Sequence, residues 1–391
     1  MKKYKKRIIT FLTIVFVFIL LIGGFNYFVD SNRVFRHNDY MELFDRPHKM
    51  IPFIIEHTKD VKNETLLLGF SEPQLNLAER RFNKEYFNQM FFLFNNYKRI
   101  YEYLEQYLDL HPETKYVKFF ISYNSFLFYY NVENPFNKSG YFDKIFYLLF
   151  SKEMTIANYN NFYWRNRWIY YKIFGKFLTE EEKDKEFLNS YVPNSMPSIS
   201  KTEEELDELE KENFEYIEKI LTLFEEKKIK YEIIIPQYNA VYLAILDIKN
   251  QTKRFEKIKR YFVNRVGIVY DFAFVNRLTS TNMLDGSNYI YYLVDHPNKF
   301  FGYKLFKFLF FREDADKDIY LVLNKKNIEQ QLKKEEVLLK NFIKNNKEYV
   351  YYYTLHHEKE DAFFDYRKVP KEFYDDKKYI ENKIWEKQYK K

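Results

Sequence analysis

Cysteine is absent from this 391-residue sequence. Its absence excludes disulfide bonds, thiol nucleophiles and cysteine-ligated zinc sites. Neither a Walker A loop nor a Gly-x-Gly-x-x-Gly motif occurs, so the two common glycine-rich phosphate-binding loops are excluded as well. Glycine itself is scarce, with eight residues in the whole chain, so a glycine beside a predicted strand is expected to have a specific structural role.

The charged residues that are present do not indicate metal or nucleic-acid binding. His356 and His357 stand beside Glu358, but they lack the His-x-x-x-His spacing that places two imidazoles on one helix face, and they are typical of solvated surface. The net charge of +7 is modest, and in residues 367–391 Lys and Arg are interleaved with Asp and Glu. We therefore expect no metal, no cofactor and no nucleic-acid partner.

The N-terminus carries the one long apolar run. Ile8 to Phe28 contains no charged residue and is long enough to span a bilayer. Lys and Arg precede it, so the positive-inside rule places the N-terminus in the cytoplasm and the main domain outside. A cleaved secretory signal is the alternative, but the run is longer than a typical h-region and no clean small-x-small site follows. We expect a single-pass anchor in the cytoplasmic (inner) membrane.

Composition divides the chain into four segments. Residues 1–29 are the predicted cytoplasmic stub and transmembrane anchor, and residues 30–60 are a predicted stalk. Residues 61–345 are the predicted extracytoplasmic domain, with a partly helical insertion at about 129–200 near the rim of its sheet, and residues 346–391 are a charged peripheral tail. Aromatic residues make up 21% of the sequence, and those of the insertion are suited either to stacking on sugar rings or to simple packing.

Between residues 61 and 345, apolar runs bounded by turn residues alternate with amphipathic stretches. Strands are predicted at 65–69, 116–122, 230–235 and 267–273, and helices at 96–110, from 203 onward, 240–248, 255–263, 300–311 and 327–345. Thr202 and Glu205 form a capping box at the start of the second helix. Because strand–helix–strand order implies right-handed parallel crossovers, the predicted fold class is α/β, a doubly wound parallel sheet flanked by helices.

One octapeptide, Thr65 to Glu72, places candidate chemistry at the edge of this sheet. Its apolar run is typical of a strand buried on both faces, and in parallel sheets the chemistry lies just past the carboxyl ends of the strands. Gly69 is expected to let the backbone turn sharply and to present Ser71 at the rim. Taken alone, Ser71 has a second interpretation as the N-cap of a following helix.

His296 is the histidine best placed to serve Ser71 as a base. It follows the last predicted strand by way of a loop, and Pro297 keeps it out of the α-helical region. An imidazole titrates near working pH and can accept the proton of a serine hydroxyl. A lone histidine is more often structural, but a serine after the first strand and a histidine after the last indicate a nucleophile–base pair.

Several segments, taken in order, resemble the membrane-anchored branch of the SGNH (GDSL-type) hydrolases found among bacterial cell-envelope and polysaccharide proteins. The chain is more distantly similar to the D-alanine-transfer proteins of lipoteichoic acid synthesis. The resemblance runs from the anchor to about Phe342 and is carried by Leu67-Leu68-Gly69-Phe70-Ser71-Glu72, Tyr86-Phe87-Asn88, His111-Pro112, Val117 to Phe126, Ile234-Ile235-Pro236-Gln237-Tyr238, Val269-Tyr270-Asp271-Phe272, and His296 with Gly302 six residues later.

The resemblance implies a flavodoxin-like three-layer fold and an esterase or O-acyltransferase that acts on cell-envelope polysaccharide. Its partners would be the glycan or an acyl donor, and the membrane through the N-terminal helix; protein partners are left open. Ser71 would be the nucleophile, in the turn that contains Gly69, and His296 the general base. The oxyanion asparagine falls on Asn95, Asn96 or Asn124, of which Asn124 is best placed, just beyond a strand end.

The sequence departs from the family pattern at two places. The family's acid lies three residues before the histidine, where this chain has Leu293, so Asp295 and Asp285 are the remaining candidates for orienting the imidazole. The glycine of the oxyanion hole is expected near residues 92–94 and is missing, and loss of an oxyanion donor costs about 10²–10³-fold in rate. The alternative function is therefore a catalytically degenerate protein that binds glycan or assists envelope assembly.

Overall fold

The computed structural model describes residues 2–29, 63–70, 86–92, 97–127, 149–150, 155, 202–282, 291–293, 296–297, 299–356 and 371–389. The predicted stalk and nearly all of the predicted insertion at 129–200 lie outside these residues. The chain divides into two compact units, one formed by residues 1–39, 46–60 and 132–186 and the other by residues 40–45, 61–131 and 187–391.

The first unit contains helix α1, Lys2–Val29. Its segment Ile9–Tyr27 is long and apolar enough to cross a membrane, judged by length and composition. Near the end of the helix the buried Asn26 amide donates hydrogen bonds to the Leu149 carbonyl oxygen (2.7 Å) and to Thr155 Oγ1 (2.9 Å). The end of α1 is therefore tied to a later segment of the same unit.

Among its described residues the second unit contains eight strands. They are β1 (Thr65–Phe70), β2 (Asn88–Phe92), β3 (Tyr116–Phe120), β4 (Lys230–Ile235), β5 (Ile268–Asp271), β6 (Tyr291–Leu293), β7 (His296–Pro297) and β8 (Leu321–Asn324). Six of them form one sheet in the order β2-β1-β3-β4-β5-β8. The pairs from β2 to β5 are parallel, and β8 is antiparallel to β5. β6 and β7 form a separate antiparallel pair.

The described helices of this unit lie on both faces of the sheet. They are α2 (Tyr97–Leu110), α3 (Glu203–Glu226), α4 (Ala240–Ile248), α5 (Thr252–Val266), α6 (Lys299–Phe310), α7 (Ile328–Asn345), α8 (Lys347–His356) and α9 (Lys371–Tyr389). On one face Phe119 contacts Tyr97 of α2 and Phe224 of α3, whereas on the other face Tyr270 contacts Phe308 of α6. The predicted α/β class, a sheet flanked by helices, is confirmed.

Local signals explain where two of these helices begin and end. Thr202 Oγ1 accepts a hydrogen bond from the Glu205 N–H (3.2 Å), and the Glu205 carboxylate accepts one from the Thr202 N–H (2.7 Å), so the predicted capping box is confirmed. α5 ends at Gly267, whose φ of +88° is favoured by glycine and whose N–H bonds the Val263 carbonyl oxygen at 3.0 Å.

The prediction of a wholly parallel sheet is wrong at one edge, where β8 is antiparallel, and the last strand is β8 rather than β5. β2 was also missed, because the segment leading to it was predicted as a loop entering a helix. Both are edge strands in this sheet. An edge strand pairs on one side only and needs fewer apolar residues, so its sequence signal is weak.

The region predicted as a peripheral tail contains a helix that packs on the domain. In α9, Asp376 is buried and forms ion pairs with Lys304 (2.8 Å) and Lys307 (2.7 Å) of α6, and Ile380 is fully buried. Lys304 is itself only 3% exposed. A charged helix of this kind has no clear apolar period because part of its contact is ionic, and the period is what the sequence prediction used.

Candidate functional site

The carboxyl ends of β1 and β3 meet at a topological switch point of the sheet. The chain passes from β1 to β2 on one side of β1 and then returns to β3 on the other side. Ligands of open α/β sheets bind in the crevice that such a reversal leaves outside the carboxyl ends. Gly69, near the end of β1, and Asn124, in the turn after β3, lie at this edge. Two of the predicted site residues are therefore brought to one place.

Gly69 has a different role from the one predicted. β1 continues through Phe70, and the backbone of Gly69 is not in the left-handed region, so the prediction of a sharp turn at Gly69 is wrong. A Cβ at this position would lie 2.8 Å from Phe120 Cβ and 3.0 Å from the Phe120 carbonyl oxygen. Glycine is needed here because β3 approaches β1 too closely to leave room for a side chain.

Replacing Gly69 with alanine is expected to lower the free energy of unfolding by about 1–2 kcal/mol, because the added methyl group forces β1 and β3 apart. Chemical denaturation of the full chain in detergent measures this change. Thr65→Ala, at the half-buried start of the same strand, is the control and is expected to have a smaller effect. A Gly69→Ala protein as stable as the wild type would contradict the close-approach explanation.

Buried hydrogen bonds fix the turn after β3. Ser122 Oγ accepts from the Asn124 N–H (3.1 Å), and the Ser125 hydroxyl donates to the Ser122 carbonyl oxygen (2.5 Å). From α3, the Asn213 amide donates to the Ser125 carbonyl oxygen (2.7 Å). A short 3₁₀ turn, Asn124–Phe126, follows. The backbone that carries Asn124 is therefore held from within the turn and from a neighbouring helix.

The loop and helix after β4 orient the side chain of Asn124, which is 4% exposed. The Tyr242 hydroxyl donates to Asn124 Oδ1, so the Nδ2 end of the amide is the donor. Tyr238 stacks on Tyr242 with ring centroids 5.0 Å apart, and its hydroxyl accepts from the Tyr123 N–H at 2.8 Å. One aromatic pair thus holds both the backbone and the amide group of the turn after β3.

Gln237 was not predicted as a site residue, but the structure places it at the same edge. It follows β4 directly after Pro236 and is 1% exposed, and neither Oε1 nor Nε2 has a hydrogen-bond partner among the described residues. Leaving a buried polar group unpaired costs about 1–3 kcal/mol. The next residue, Tyr238, bonds the turn that carries Asn124. A polar residue directly after a strand next to β3 was the sequence signal that could have identified it.

The backbone of His296 lies in β7, just before α6 begins at Lys299. Its partner across the antiparallel pair is Leu293. Leucine carries no carboxylate, so position 293 cannot supply the acid that orients the imidazole.

The remaining predicted site residues are not placed. Ser71, Asn95, Asn96, Asp285 and Asp295 lie outside the described residues, and so does the side chain of His296. The distances from Ser71 to His296 and from either aspartate to the imidazole are therefore not part of the described geometry. The roles of these residues stay predictions.

Protein-family models, curated proteins and solved structures give no match to this chain. The SGNH resemblance therefore depends on the quoted segments and their order. The order 2-1-3-4-5 of the parallel strands is that of flavodoxin-like sheets, and proteins with many different functions share it.

A second polar cluster lies behind the end of β5. Asp271, the last residue of β5, is fully buried, and its Oδ2 lies 2.5 Å from the ammonium nitrogen of Lys259 on α5. Glu335 of α7 lies 2.6 Å from the same nitrogen, and the Ala273 carbonyl oxygen accepts from it at 3.3 Å. Asp271 Oδ1 accepts from the Ala273 N–H (2.8 Å). One lysine thus joins β5, α5 and α7.

Burial and charge oppose each other in this cluster. Burial alone would lower the pKa of Lys259, but Asp271 and Glu335 outweigh it and hold the pKa above its ordinary value. Burial is the largest effect on Glu335 and raises its pKa to about 7, with the Asp271 carboxylate adding to it and Lys259 acting in the opposite direction. Glu335 therefore titrates near neutral pH while Lys259 stays charged.

The raised pKa of Glu335 makes folding stability depend on pH. Because the folded state holds this proton more tightly than the unfolded state, the stabilisation is complete below about pH 4.5 and is lost as pH rises through about 7. We expect the wild type to lose about 1–2 kcal/mol of unfolding free energy between pH 5.5 and 7.5 relative to Glu335→Gln. Chemical denaturation at both pH values measures it.

Glu336→Gln is the control for this prediction. Glu336 neighbours Glu335 on α7, but the Lys340 hydrogen bond lowers its pKa, so it titrates below this pH interval. The Glu336→Gln protein should keep the wild-type pH dependence. Equal pH dependence in the Glu335→Gln protein and the wild type would contradict the assignment.

Proposed function

We propose that this protein is a membrane-anchored serine esterase or O-acyltransferase that acts on cell-envelope polysaccharide, with Ser71 as nucleophile and His296 as general base. The observation that carries the proposal is the switch point between β1 and β3. Ser71 follows Phe70, the last residue of β1, and Asn124 follows the neighbouring strand. Position at the carboxyl edge of adjacent strands is where α/β folds have their ligand sites.

The proposed reaction has two steps, in which an acyl-serine ester first forms and is then broken. Ser71 Oγ attacks the carbonyl carbon of the acyl donor while His296 takes the hydroxyl proton. The resulting oxyanion is stabilised by the Asn124 Nδ2 amide and the Ser71 backbone N–H. Collapse releases the donor alcohol, which takes the proton from His296. Water or a glycan hydroxyl then attacks the carbonyl carbon of the acyl-serine with His296 as base. Collapse breaks the bond to Ser71 Oγ, which takes the proton back from His296, and the acyl group leaves on the acceptor.

The geometry around Asn124 supports its role as an oxyanion donor. A donor is effective when it is fixed before the charge develops, since no reorganisation is then needed. Tyr242 engages Asn124 Oδ1, and four buried hydrogen bonds in and around residues 122–126 hold the backbone. Gln237, whose buried amide has no partner among the described residues, is a second group that can bind the substrate.

The contacts of α1 support a retained anchor over a cleaved signal. Asn26 donates to Leu149 and Thr155, so cleavage after the apolar run would remove these bonds from a partly buried carbonyl and hydroxyl. A retained helix also keeps the reaction close to the membrane surface. The basic residues before the apolar run support an extracytoplasmic main domain.

Labelling by a fluorophosphonate probe tests the proposal, because such probes phosphonylate serines that have an activating base. We expect the detergent-solubilised full chain to be labelled, and Ser71→Ala and His296→Ala to lose the label. Ser280→Ala, in the loop after β5, is the matched serine control and should be labelled like the wild type.

Two outcomes would overturn the catalytic proposal. The first is an absence of labelling in the wild type across a range of pH, and the second is undiminished labelling of Ser71→Ala. If, in addition, cells that carry Ser71→Ala and His296→Ala behave like wild type, the result favours the degenerate glycan-binding or assembly protein.

A further inference from the structure

A half-open cleft lies beside the Lys259 cluster, between α4, α5, α7 and the segment after β5. Its walls include Leu243, Leu246, Phe255 and Leu332, with Lys259 and Glu335 among its polar residues. The cleft measures about 470 Å³ with its open mouth. Its occupant must therefore be small.

The walls of the cleft are apolar, and its polar groups are mostly paired. Glu256 bonds Lys253 and Arg260, and Glu336 bonds Lys340. Lys259 donates hydrogen bonds to Glu335 and to the Ala273 carbonyl oxygen and forms an ion pair with Asp271. An anionic ligand would meet two carboxylates around this ammonium group.

One atom in the cleft has no partner among the described residues. Glu335 bonds Lys259 through Oε2, whereas its Oε1 is buried and makes no described hydrogen bond. Carboxylate oxygens accept hydrogen bonds and cannot donate them when ionised. Glu335, which lines the cleft, therefore has one buried acceptor atom without a described partner.

The charge balance identifies the kind of donor. Lys259 contributes one positive charge, and Asp271 and ionised Glu335 contribute two negative charges at contact distance. The remaining negative charge is complementary to a cation. A metal ion is disfavoured because the Lys259 ammonium already lies against both carboxylates.

We propose that this cleft binds a small primary alkylammonium, whose N–H group donates to Glu335 Oε1 and whose short carbon chain packs against the leucine and phenylalanine side chains of the walls. An apolar pocket with one well-placed polar group is the usual form of a small-molecule site. The inference does not depend on the proposed acyl-transfer function, because it uses neither Ser71 nor His296.

Calorimetric titration of the detergent-solubilised full chain tests the inference with three probes of one shape, butylammonium, butanol and butyrate. At pH 8 we expect butylammonium to bind at least tenfold more tightly than butanol and butyrate to show no binding. Glu335 faces Lys259, Asp271 and Glu256 and has a pKa of about 7. Its ionised fraction therefore falls between pH 8 and pH 6, and the affinity for butylammonium should fall roughly tenfold with it.

Two variants distinguish a specific ammonium-binding site from a cavity that holds only water. Glu335→Gln should bind butylammonium at least tenfold more weakly and lose the pH dependence, whereas Glu336→Gln, which lines the same cleft, should bind like the wild type. Equal affinities for butylammonium and butanol, an unchanged affinity in folded Glu335→Gln, or no binding of butylammonium to the wild type would each overturn the inference.

Discussion

Replacing Lys259 with methionine is expected to lower the free energy of unfolding by about 3–5 kcal/mol, the largest effect on stability that we predict. The side chain of Lys259 is 2% exposed, and its ammonium nitrogen lies 2.5 Å from Asp271 and 2.6 Å from Glu335. Without it, the fully buried Asp271 carboxyl group has no counterion. Urea denaturation of the full chain in detergent, followed by tryptophan fluorescence, measures the loss.

Two further variants serve as controls for the Lys259→Met result. Lys253→Met removes a lysine from the same helix, but Lys253 is 76% exposed, so its loss should cost less than about 1 kcal/mol. The triple variant Lys259→Met, Asp271→Asn, Glu335→Gln removes the unpaired charges and should recover most of the lost stability. A loss below about 1 kcal/mol in Lys259→Met would show that the cluster does not hold β5, α5 and α7 together.

Replacing Asn124 with alanine is expected to reduce kcat by about 10²–10³-fold, the cost of one oxyanion-hole donor, while KM changes little. The reason is that Nδ2 of Asn124 is the fixed donor end of an amide whose oxygen bonds Tyr242. Hydrolysis of a chromogenic acetyl ester by the full chain measures the rate. The rate of fluorophosphonate labelling should fall in parallel, because that reaction also develops negative charge on oxygen.

The control for Asn124 separates catalysis from folding. Tyr242→Phe removes the partner of Asn124 Oδ1 but keeps Nδ2, so we expect a loss of no more than about tenfold in kcat. Thermal unfolding of both variants shows whether the turn after β3 still forms. A folded Asn124→Ala protein with kcat within about threefold of the wild type would exclude Asn124 as the oxyanion donor, and one of Asn95 and Asn96 would take its place as the candidate.

Strong local patterns predicted most of the central fold. The apolar runs at the start of β1, β3, β4 and β5 stood out because a strand buried on both faces is nearly all apolar. The capping box at Thr202 was readable because both of its hydrogen bonds join residues three apart. Edge strands β2 and β8 were missed, since a strand with one neighbour carries a weaker pattern.

The buried lysine was partly visible in the sequence. Phe255, Ile258, Lys259 and Phe262 follow helical spacing, so Lys259 falls on the apolar face of α5, and all four are buried in the structure. The spacing could not reveal what pairs with it. Asp271 and Glu335 come from other elements, and the Glu335 contact spans 76 residues of sequence.

The sequence by itself determined the N-terminal apolar helix, the α/β class and the central strands. These depend on composition and on contacts between near neighbours. Only the tertiary structure decided that β1 and β3 are adjacent, that β8 runs antiparallel, that Gly69 makes room for Phe120, and that Tyr242 orients Asn124 across 118 residues. These features depend on which distant segments pack together, and no local pattern encodes that choice.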